Sequence, residues 1–117
     1  GEYIGFVYVI TNKTNNRKYI GKKLFFSSKT KIVKKRKKRF SVESDWKTYY
    51  GSSDELKADV KKLGAKNFDR EIIRLCKSRG ECSYFEAKEQ FLNDAVLSEE
   101  YYNVWMSVTV RKNHVKL

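Results

Sequence analysis

The pattern of apolar and polar residues at the start of the chain predicts two strands joined by a turn. Residues 3–11 (YIGFVYVIT) are rich in β-branched and aromatic side chains, as expected for a buried strand. The next residues, 11–17, are polar and rich in asparagine, which favours a hairpin turn. Residues 18–26 (KYIGKKLFF) then predict a second strand, antiparallel to the first.

Downstream, the pattern predicts three helices and one more strand. Their bounds are 45–50 for a short helix, 55–63 for a second helix, 68–75 for a third strand and 81–97 for a long acidic helix. Turns are expected at 50–53 and 78–80, and a short packing element at 101–110. Ser53 or Asp54 can cap the second helix, and Gly64 ends it. Helical spacing predicts the buried faces: Leu56, Val60 and Leu63 on the second helix, and Phe85, Leu92 and Val96 on the long one.

This order of elements predicts an α+β fold, with a small antiparallel or mixed three-stranded sheet flanked by helices. The length of 117 residues suffices to bury a core, and no internal repeat or linker interrupts it. We therefore expect one domain over residues 1–117.

The net charge of +12 points to a polyanionic partner, and most of it is local. The basic segment 29–39 (KTKIVKKRKKR) contains no acid, and only +4 remains on the rest of the chain. Because like charges repel, we expect a mobile loop or a poorly packed helix there. Its basic residues are predicted to contact the DNA backbone, with a nuclear-localisation tract as the alternative. They are Lys29, Lys31, Lys34, Lys35, Arg36, Lys37, Lys38 and Arg39.

Composition excludes several other classes of protein. No apolar run approaches the roughly 20 residues that span a bilayer, so no membrane partner is expected. Residues 1–5 lack the layout of a secretory signal, and a Lys-rich chain suggests a reducing, cytoplasmic compartment. Cys76, Cys82 and His114 are too few for a zinc site, so the two cysteines are interpreted as structural thiols, with one disulfide as the alternative. Any bound metal should use oxygen ligands, which favours Mg²⁺ or Mn²⁺.

Two short motifs in the opening hairpin carry the most specific signal. Phe6-Val7-Tyr8 and Tyr19-Ile20-Gly21 stand eleven positions apart from tyrosine to tyrosine. They resemble the signature of the GIY-YIG nuclease family. The resemblance extends through Ile10-Thr11-Asn12, Arg17-Lys18, Leu63-Gly64, Asn67-Phe68, Glu71-Ile72-Ile73 and Tyr102-Asn103. Trp46 with Tyr50-Gly51-Ser52 is similar to a feature of phage- and homing-type members.

The resemblance implies a hairpin tyrosine acting as general base or proton relay, beside one metal held by a helix glutamate. Tyr8 and Tyr19 are the candidates, with packing of a strand face as the alternative. Tyrosine is a poor base at its usual pKa of about 10, so nearby cations or metal must lower that value. Lys18, Lys22 and Lys23 are close in sequence and are expected to supply the positive field.

The chain departs from the family pattern at two positions. Phe6 replaces the first glycine, although Gly5 precedes it. Many family members carry an arginine about ten residues after the second tyrosine, where this chain has Lys29. Lys23 and Lys22 are therefore the candidates for the cation on the scissile phosphate, and Arg36 and Arg39 are alternatives.

Three glutamates of the acidic helix, Glu81, Glu86 and Glu89, are possible metal ligands, and the position after Tyr84-Phe85 favours Glu86 over Glu89. Positions 86 and 89 lie about 60° apart on a helix, so both could approach one ion. Lys88 stands nearer the middle of the predicted apolar stripe than either of them.

The remaining candidates are polar or aromatic side chains. Asn103 resembles the late asparagine with which the family supports its site by hydrogen bonding. Ser52 and Ser53 could bind phosphate or cap a helix. Trp46, Tyr49 and Tyr50 could stack on bases or pack in the core.

Together these features favour a metal-dependent DNA endonuclease or nickase in a bacterial or phage-infected cell. Double-stranded DNA is the expected substrate, and a dimer on DNA is one route to a double-strand break. The alternative is an inactive nucleic-acid-binding module of the same fold, which the missing arginine and Lys88 would favour. A basic scaffold bound to RNA is a third possibility.

Overall fold

The computed structural model describes residues 3–104, which form five strands and two α-helices. Their bounds are β1 (Gly5–Asn12), β2 (Lys18–Leu24), β3 (Phe26–Val33), β4 (Arg36–Glu43), α1 (Asp54–Leu63), β5 (Phe68–Cys76) and α2 (Arg79–Leu92). A 3₁₀ turn at Ala65–Asn67 connects α1 to β5. His114 and most of the predicted element at 101–110 lie outside the described residues. No helix within 3–104 is long and apolar enough to cross a membrane.

The central sheet is antiparallel and has the strand order β2–β1–β5. β1 lies in the middle because both of its faces are apolar, with Phe6, Val7 and Tyr8 all buried. One face of the sheet carries the core of Tyr8, Tyr19, Leu56 and Tyr102 with its neighbours, and α1 supplies Leu56. The opposite face carries Val7, Ile20, Cys76, Cys82 and Phe85, the last two from α2. This arrangement confirms the predicted α+β fold and three-stranded sheet.

Helix α1 begins and ends as the sequence predicts. The Ser53 hydroxyl accepts a hydrogen bond from the Leu56 amide at 3.2 Å, which makes Ser53 the N-cap. Gly64 has φ +89° and donates its amide to the Val60 carbonyl, so it ends the helix. Leu56 is fully buried and anchors α1 to the sheet.

Helix α2 differs from the prediction at both ends. It begins at Arg79, so Gly80 lies inside the helix rather than in a turn. It ends at Leu92 rather than at 97, because the Asn93 side chain caps the Glu89 carbonyl at 2.7 Å. The predicted apolar stripe is therefore wrong beyond Phe85, since Leu92 is 68% exposed. The last buried residue of α2 is polar and is Gln90.

The basic segment 29–39 is neither a loop nor a helix but the tip of a β-hairpin, which corrects the prediction. β3 and β4 pair from Phe26–Glu43 to Val33–Arg36, and we call this hairpin the basic ribbon (26–43). Repulsion is limited because four of the eight cations face an uncharged residue across the ribbon, two form its turn, and only Lys31 and Lys38 oppose each other. The ribbon packs mainly on itself and projects from the sheet.

Residues 45–50 form a turn rather than the predicted short helix. The Arg70 guanidinium donates hydrogen bonds to the carbonyls of Lys47 at 3.1 Å and Tyr49 at 2.9 Å. These carbonyls therefore find their partners on β5 instead of in a helix. The Trp46 ring packs edge-on against Phe25, with centroids 5.0 Å apart.

Candidate active site

A cleft of about 640 Å³ opens where the edge strand β2 meets both helices. All but one of its lining residues carry a polar side-chain group, and they come from both faces of the sheet. The lining consists of Tyr8, Tyr19, Lys22, Tyr49, Ser52, Ser53, Asp54, Glu55, Glu86, Gln90, Tyr102, Asn103 and Val104. Six of these are residues that the sequence predicts for the site: Tyr8, Tyr19, Lys22, Glu86, Asn103 and Ser52.

Tyr8 reaches the cleft by crossing the neighbouring strand at Gly21. The two residues are paired in the antiparallel register of β1 and β2. A Cβ at position 21 would lie 2.5 Å from the Tyr8 hydroxyl oxygen and 2.7 Å from Cζ. Only glycine leaves that space open, so the glycine of the Tyr19-Ile20-Gly21 motif allows the phenol to extend to the sheet edge.

Tyr19 lies on the same face, with its ring centroid 6.2 Å from that of Tyr8. Its hydroxyl shares a hydrogen bond of 2.9 Å with Ser52. Gly51 precedes Ser52 with φ +86°, and a Cβ there would lie 2.6 Å from the Tyr19 ring. The Gly51-Ser52 pair therefore packs on Tyr19 and fixes its hydroxyl.

Asn103 and Tyr102 connect the end of the described chain to this hairpin. The Asn103 side chain accepts from the Ile20 amide at 3.0 Å and donates to the Ile20 carbonyl at 2.8 Å. The buried Tyr102 hydroxyl accepts from Asn12 at 2.9 Å and donates to Asp59 at 2.7 Å. The Asn103 side chain thus holds β2, and the Tyr102 hydroxyl links the end of β1 to α1.

Comparison with known proteins agrees with these motifs. The family model described as "Putative endonuclease segE, GIY-YIG domain" matches residues 1–106. The chain belongs to the GIY-YIG endonuclease family. It is also 30% identical over 99 residues to a protein of Enterobacteria phage T4 named "Putative endonuclease segE". That alignment covers 85% of this chain and 40% of the phage protein. No solved structure gives a significant match.

Glu86 of this GIY-YIG domain is a carboxylate held in a partly buried place. Burial raises its pKa, and both the charge of Lys22 and a hydrogen bond from the Lys22 backbone oppose that rise. The Lys22 ammonium itself donates to the Ser83 hydroxyl at 2.6 Å. A cation approaching Glu86 would therefore relieve the cost of keeping this carboxyl ionised.

The pKa of Tyr8 is raised rather than lowered, which corrects the expectation from the nearby lysines. Burial is the main cause, and the neighbouring Tyr19, Tyr49 and Glu86 raise it further, while only Arg70 acts in the opposite direction. Tyr8 is therefore a neutral phenol at physiological pH, and its hydroxyl is available to donate a hydrogen bond.

Other candidates lie away from the cleft lining. The Lys23 ammonium pairs with Asp45 at 2.7 Å and sits 3.9 Å from the centroid of the Tyr49 ring. Glu89 lies near Tyr101, whose pKa is raised mainly by burial and also by that carboxylate.

The basic ribbon stands outside the cleft, and Trp46 packs against Phe25 as described above. Lys88 is exposed on α2 rather than central to a buried stripe.

Gln90 lines the cleft but was not predicted as a site residue, and Tyr49, which also lines it, was predicted only to stack on bases or pack in the core. Gln90 follows Glu86 by four positions, so helical spacing from the favoured glutamate could have identified it. Tyr49 meets the Tyr8 ring edge-on with centroids 6.4 Å apart, and no local pattern predicts that contact.

The side chains of the cleft could bind a divalent cation only if water or substrate phosphate supplied most of its ligands. Within residues 3–104, no cluster of three or more His, Cys, Asp or Glu side chains is placed to hold a metal. Mg²⁺ commonly binds one or two carboxylates and keeps water or substrate phosphate in its other positions. The half-buried carboxylate of Glu86 fits that mode, while the two other carboxylates of the lining, Asp54 and Glu55, are exposed.

Proposed function

We propose that this domain is a divalent-metal-dependent DNA endonuclease or nickase that hydrolyses phosphodiester bonds. The observation that supports the proposal is the convergence of Tyr8, Tyr19, Lys22 and Glu86 in one cleft, from three different elements. This set provides a hydroxyl pair, a cation and a metal ligand within the reach of one phosphate.

Each residue has a role that follows from its surroundings. Glu86 would hold Mg²⁺ or Mn²⁺, which when bound supplies Lewis-acid stabilisation of charge on the phosphate. The Lys22 ammonium would bind a phosphate oxygen, in place of the arginine of other members. Lys23 is the weaker candidate for this role because Asp45 already neutralises it.

The two phenols would position and move protons. Because burial keeps Tyr8 protonated, Tyr8 would act as a relay, releasing its own proton only as it accepts another. Tyr19, held by Ser52 at 2.9 Å, would orient the attacking water or the leaving oxygen. Asn103 would position the hairpin through Ile20 rather than touch the substrate.

The basic ribbon would provide affinity for double-stranded DNA. Its cations are exposed on both faces, and phosphate contacts of this kind give binding that weakens steeply with salt. Glu89 and Trp46 find no support as metal or DNA contacts in this arrangement.

One cleft cuts one strand at a time, so the proposed product is a nick. A double-strand break would require a second copy on the DNA or rebinding. The chain spans 40% of the length of its phage relative, and activity in the cytoplasm of an infected bacterium is part of the proposal.

The test is cleavage of supercoiled plasmid with Mg²⁺ or Mn²⁺ by the wild type and by Tyr8→Phe, Glu86→Ala and Glu89→Ala. We expect metal-dependent nicking that falls at least about 100-fold in the first two variants. Glu89→Ala is the matched control and should keep its activity, since Glu89 is not part of the cleft lining. Salt-sensitive DNA binding without cleavage under any metal would instead identify an inactive binding module.

A further inference from the structure

The side-chain amide oxygen of Gln90 accepts no hydrogen bond from the residues that the structure describes. Its side chain is only 4% exposed and lines the cleft. Among the residues that the structure describes, its Oε1 is the buried side-chain oxygen or nitrogen without a hydrogen-bond partner. A buried acceptor left without a partner destabilises the structure, so a ligand that satisfies it would be bound more tightly.

The orientation of the Gln90 amide is fixed by chemistry. Its Nε2 donates to the Ile20 carbonyl at 3.1 Å, and only the nitrogen of the amide can do so. Asn103 donates to the same carbonyl at 2.8 Å, which occupies its second lone pair. Oε1 must therefore face away from β2.

Gln90 and Glu86 share one side of α2. Residues four apart in a helix lie one above the other, and both of these side chains line the cleft. The site thus offers a carboxylate and an amide oxygen side by side. An amide oxygen accepts but cannot donate, so it does not attract a phosphate; its partner must be a cation or a hydrogen-bond donor.

We propose that Gln90 Oε1 is a second oxygen donor to the hydrated divalent cation at Glu86. This inference rests on the proposed function, because it assumes that a cation binds at Glu86. It adds that Gln90 sets the affinity and position of that cation. Hard cations prefer such neutral and anionic oxygen atoms together.

The test is a titration of the protein with Mn²⁺ without DNA, in which free Mn²⁺ is measured by electron paramagnetic resonance. Gln90→Met keeps the length of the side chain but removes the oxygen, and we expect about 10-fold weaker binding. Gln90→Glu restores an oxygen and should bind Mn²⁺ at least as tightly as the wild type. A merely structural role for Gln90 would not give this rescue.

Two controls separate the inference from the proposed function. Glu86→Gln should abolish the Mn²⁺ site, and Glu89→Gln should leave it intact. If Gln90→Met binds Mn²⁺ like the wild type while Glu86→Gln does not bind, Gln90 is no donor and the inference is wrong, although the metal site stands. If Glu86→Gln binds normally, the cation lies elsewhere and both proposals fail.

Discussion

At the scale of single residues, the glycine of the second motif has a steric function. Gly21 creates the passage through which the Tyr8 phenol reaches the cleft, and the hydroxyl lies within 2.5 Å of where a methyl group would stand. The order of the motif, tyrosine then glycine two residues later, thus reflects the pairing of Gly21 with Tyr8 across the hairpin.

Gly21→Ala should therefore displace Tyr8 and abolish nicking. We expect a loss of roughly 1–3 kcal/mol in the free energy of unfolding, because the methyl group overpacks a closed contact. Gly64→Ala is the matched control: φ +89° strains it, but it lies outside the cleft lining. That control should lower stability yet keep nicking activity, as followed by thermal unfolding and plasmid cleavage. Full activity in Gly21→Ala would contradict the role assigned to this glycine.

The raised pKa of Glu86 makes the stability of the folded protein depend on the ionisation of this cleft residue. A carboxyl whose pKa is higher in the folded than in the unfolded chain favours folding when protonated. This contribution to the free energy of unfolding is lost as the pH rises from the ordinary pKa of a glutamate through the raised pKa of Glu86. The ionised carboxylate therefore destabilises the metal-free protein at neutral pH.

Glu86→Gln should consequently raise the Tm of the metal-free protein at neutral pH, by about 4 °C for each kcal/mol relieved. The difference from wild type should shrink as the pH falls and disappear below about pH 3, well under the ordinary glutamate pKa of about 4.3, where the wild-type carboxyl is protonated in both states. Adding Mg²⁺ should stabilise only the wild type. A calorimetric series over pH, with Glu89→Gln as control, measures this, and an equal Tm at all pH values would refute it.

At the scale of elements, hydrophobic patterning predicts those parts of the fold that bury a continuous apolar face. β1 and β2 were predicted within a few residues because their patterns coincide with the core. The bounds of β5 and α1 were predicted as closely, although most residues of both elements are exposed. The end of α2 was missed because a side-chain cap at Asn93 stops the helix while apolar residues continue. The turn at 45–50 depends on Arg70, over twenty residues away, which no local pattern contains.

The same distinction applies to the candidate site. Tyr8, Tyr19, Glu86 and Asn103 stand in motifs, so a resemblance between sequences locates them. Lys22 rather than Lys23 enters the cleft because Asp45 and Tyr49 hold Lys23 elsewhere, and only the fold shows this. For the basic ribbon, the sequence analysis overestimated charge repulsion, because only one pair of cations stands directly opposite each other in the register of the two strands.

Lys31→Gln with Lys38→Gln should weaken binding to duplex DNA and reduce its salt dependence. Each lost phosphate contact lowers the slope of log K against log salt by about 0.9. These two lysines face each other, so their replacement relieves repulsion and should not disrupt the ribbon. Lys61→Gln with Lys62→Gln, on α1, removes the same charge as a control. Fluorescence anisotropy at several salt concentrations compares the pairs, and equal effects would argue against a specific ribbon contact.

At the scale of the whole molecule, the proposed DNA affinity belongs to the basic ribbon and the proposed phosphodiester hydrolysis to the cleft, which are separate parts of the fold. The described chain measures 53 × 35 × 24 Å, and the ribbon packs little against the sheet that supports the cleft. At its base, the Ser44 amide donates to the Phe25 carbonyl at 2.8 Å, closing the hairpin where it leaves the sheet. The core below that bond is complete without the ribbon.

Replacement of residues 28–41 by Asn-Gly should leave a folded, weakly binding nuclease. Ser27 and Val42 are paired in the ribbon register, and Asn-Gly suits a two-residue turn between them. We expect cooperative thermal unfolding within a few degrees of the wild-type Tm, measured beside nicking at low salt. Cleavage should then require more protein but the same metal. Non-cooperative unfolding would show that the ribbon belongs to the core.

The tip of the ribbon has a consequence for how its shape is specified. Lys34 and Lys35 form the turn with φ +51° and +64°, a conformation that costs a lysine on the order of 1 kcal/mol and suits asparagine or glycine far better. The turn therefore does not impose the alignment of the two strands; their side-chain pairing does. Two lysines thus occupy the strained turn, so positive charge rather than a preferred turn residue marks the exposed end of the ribbon.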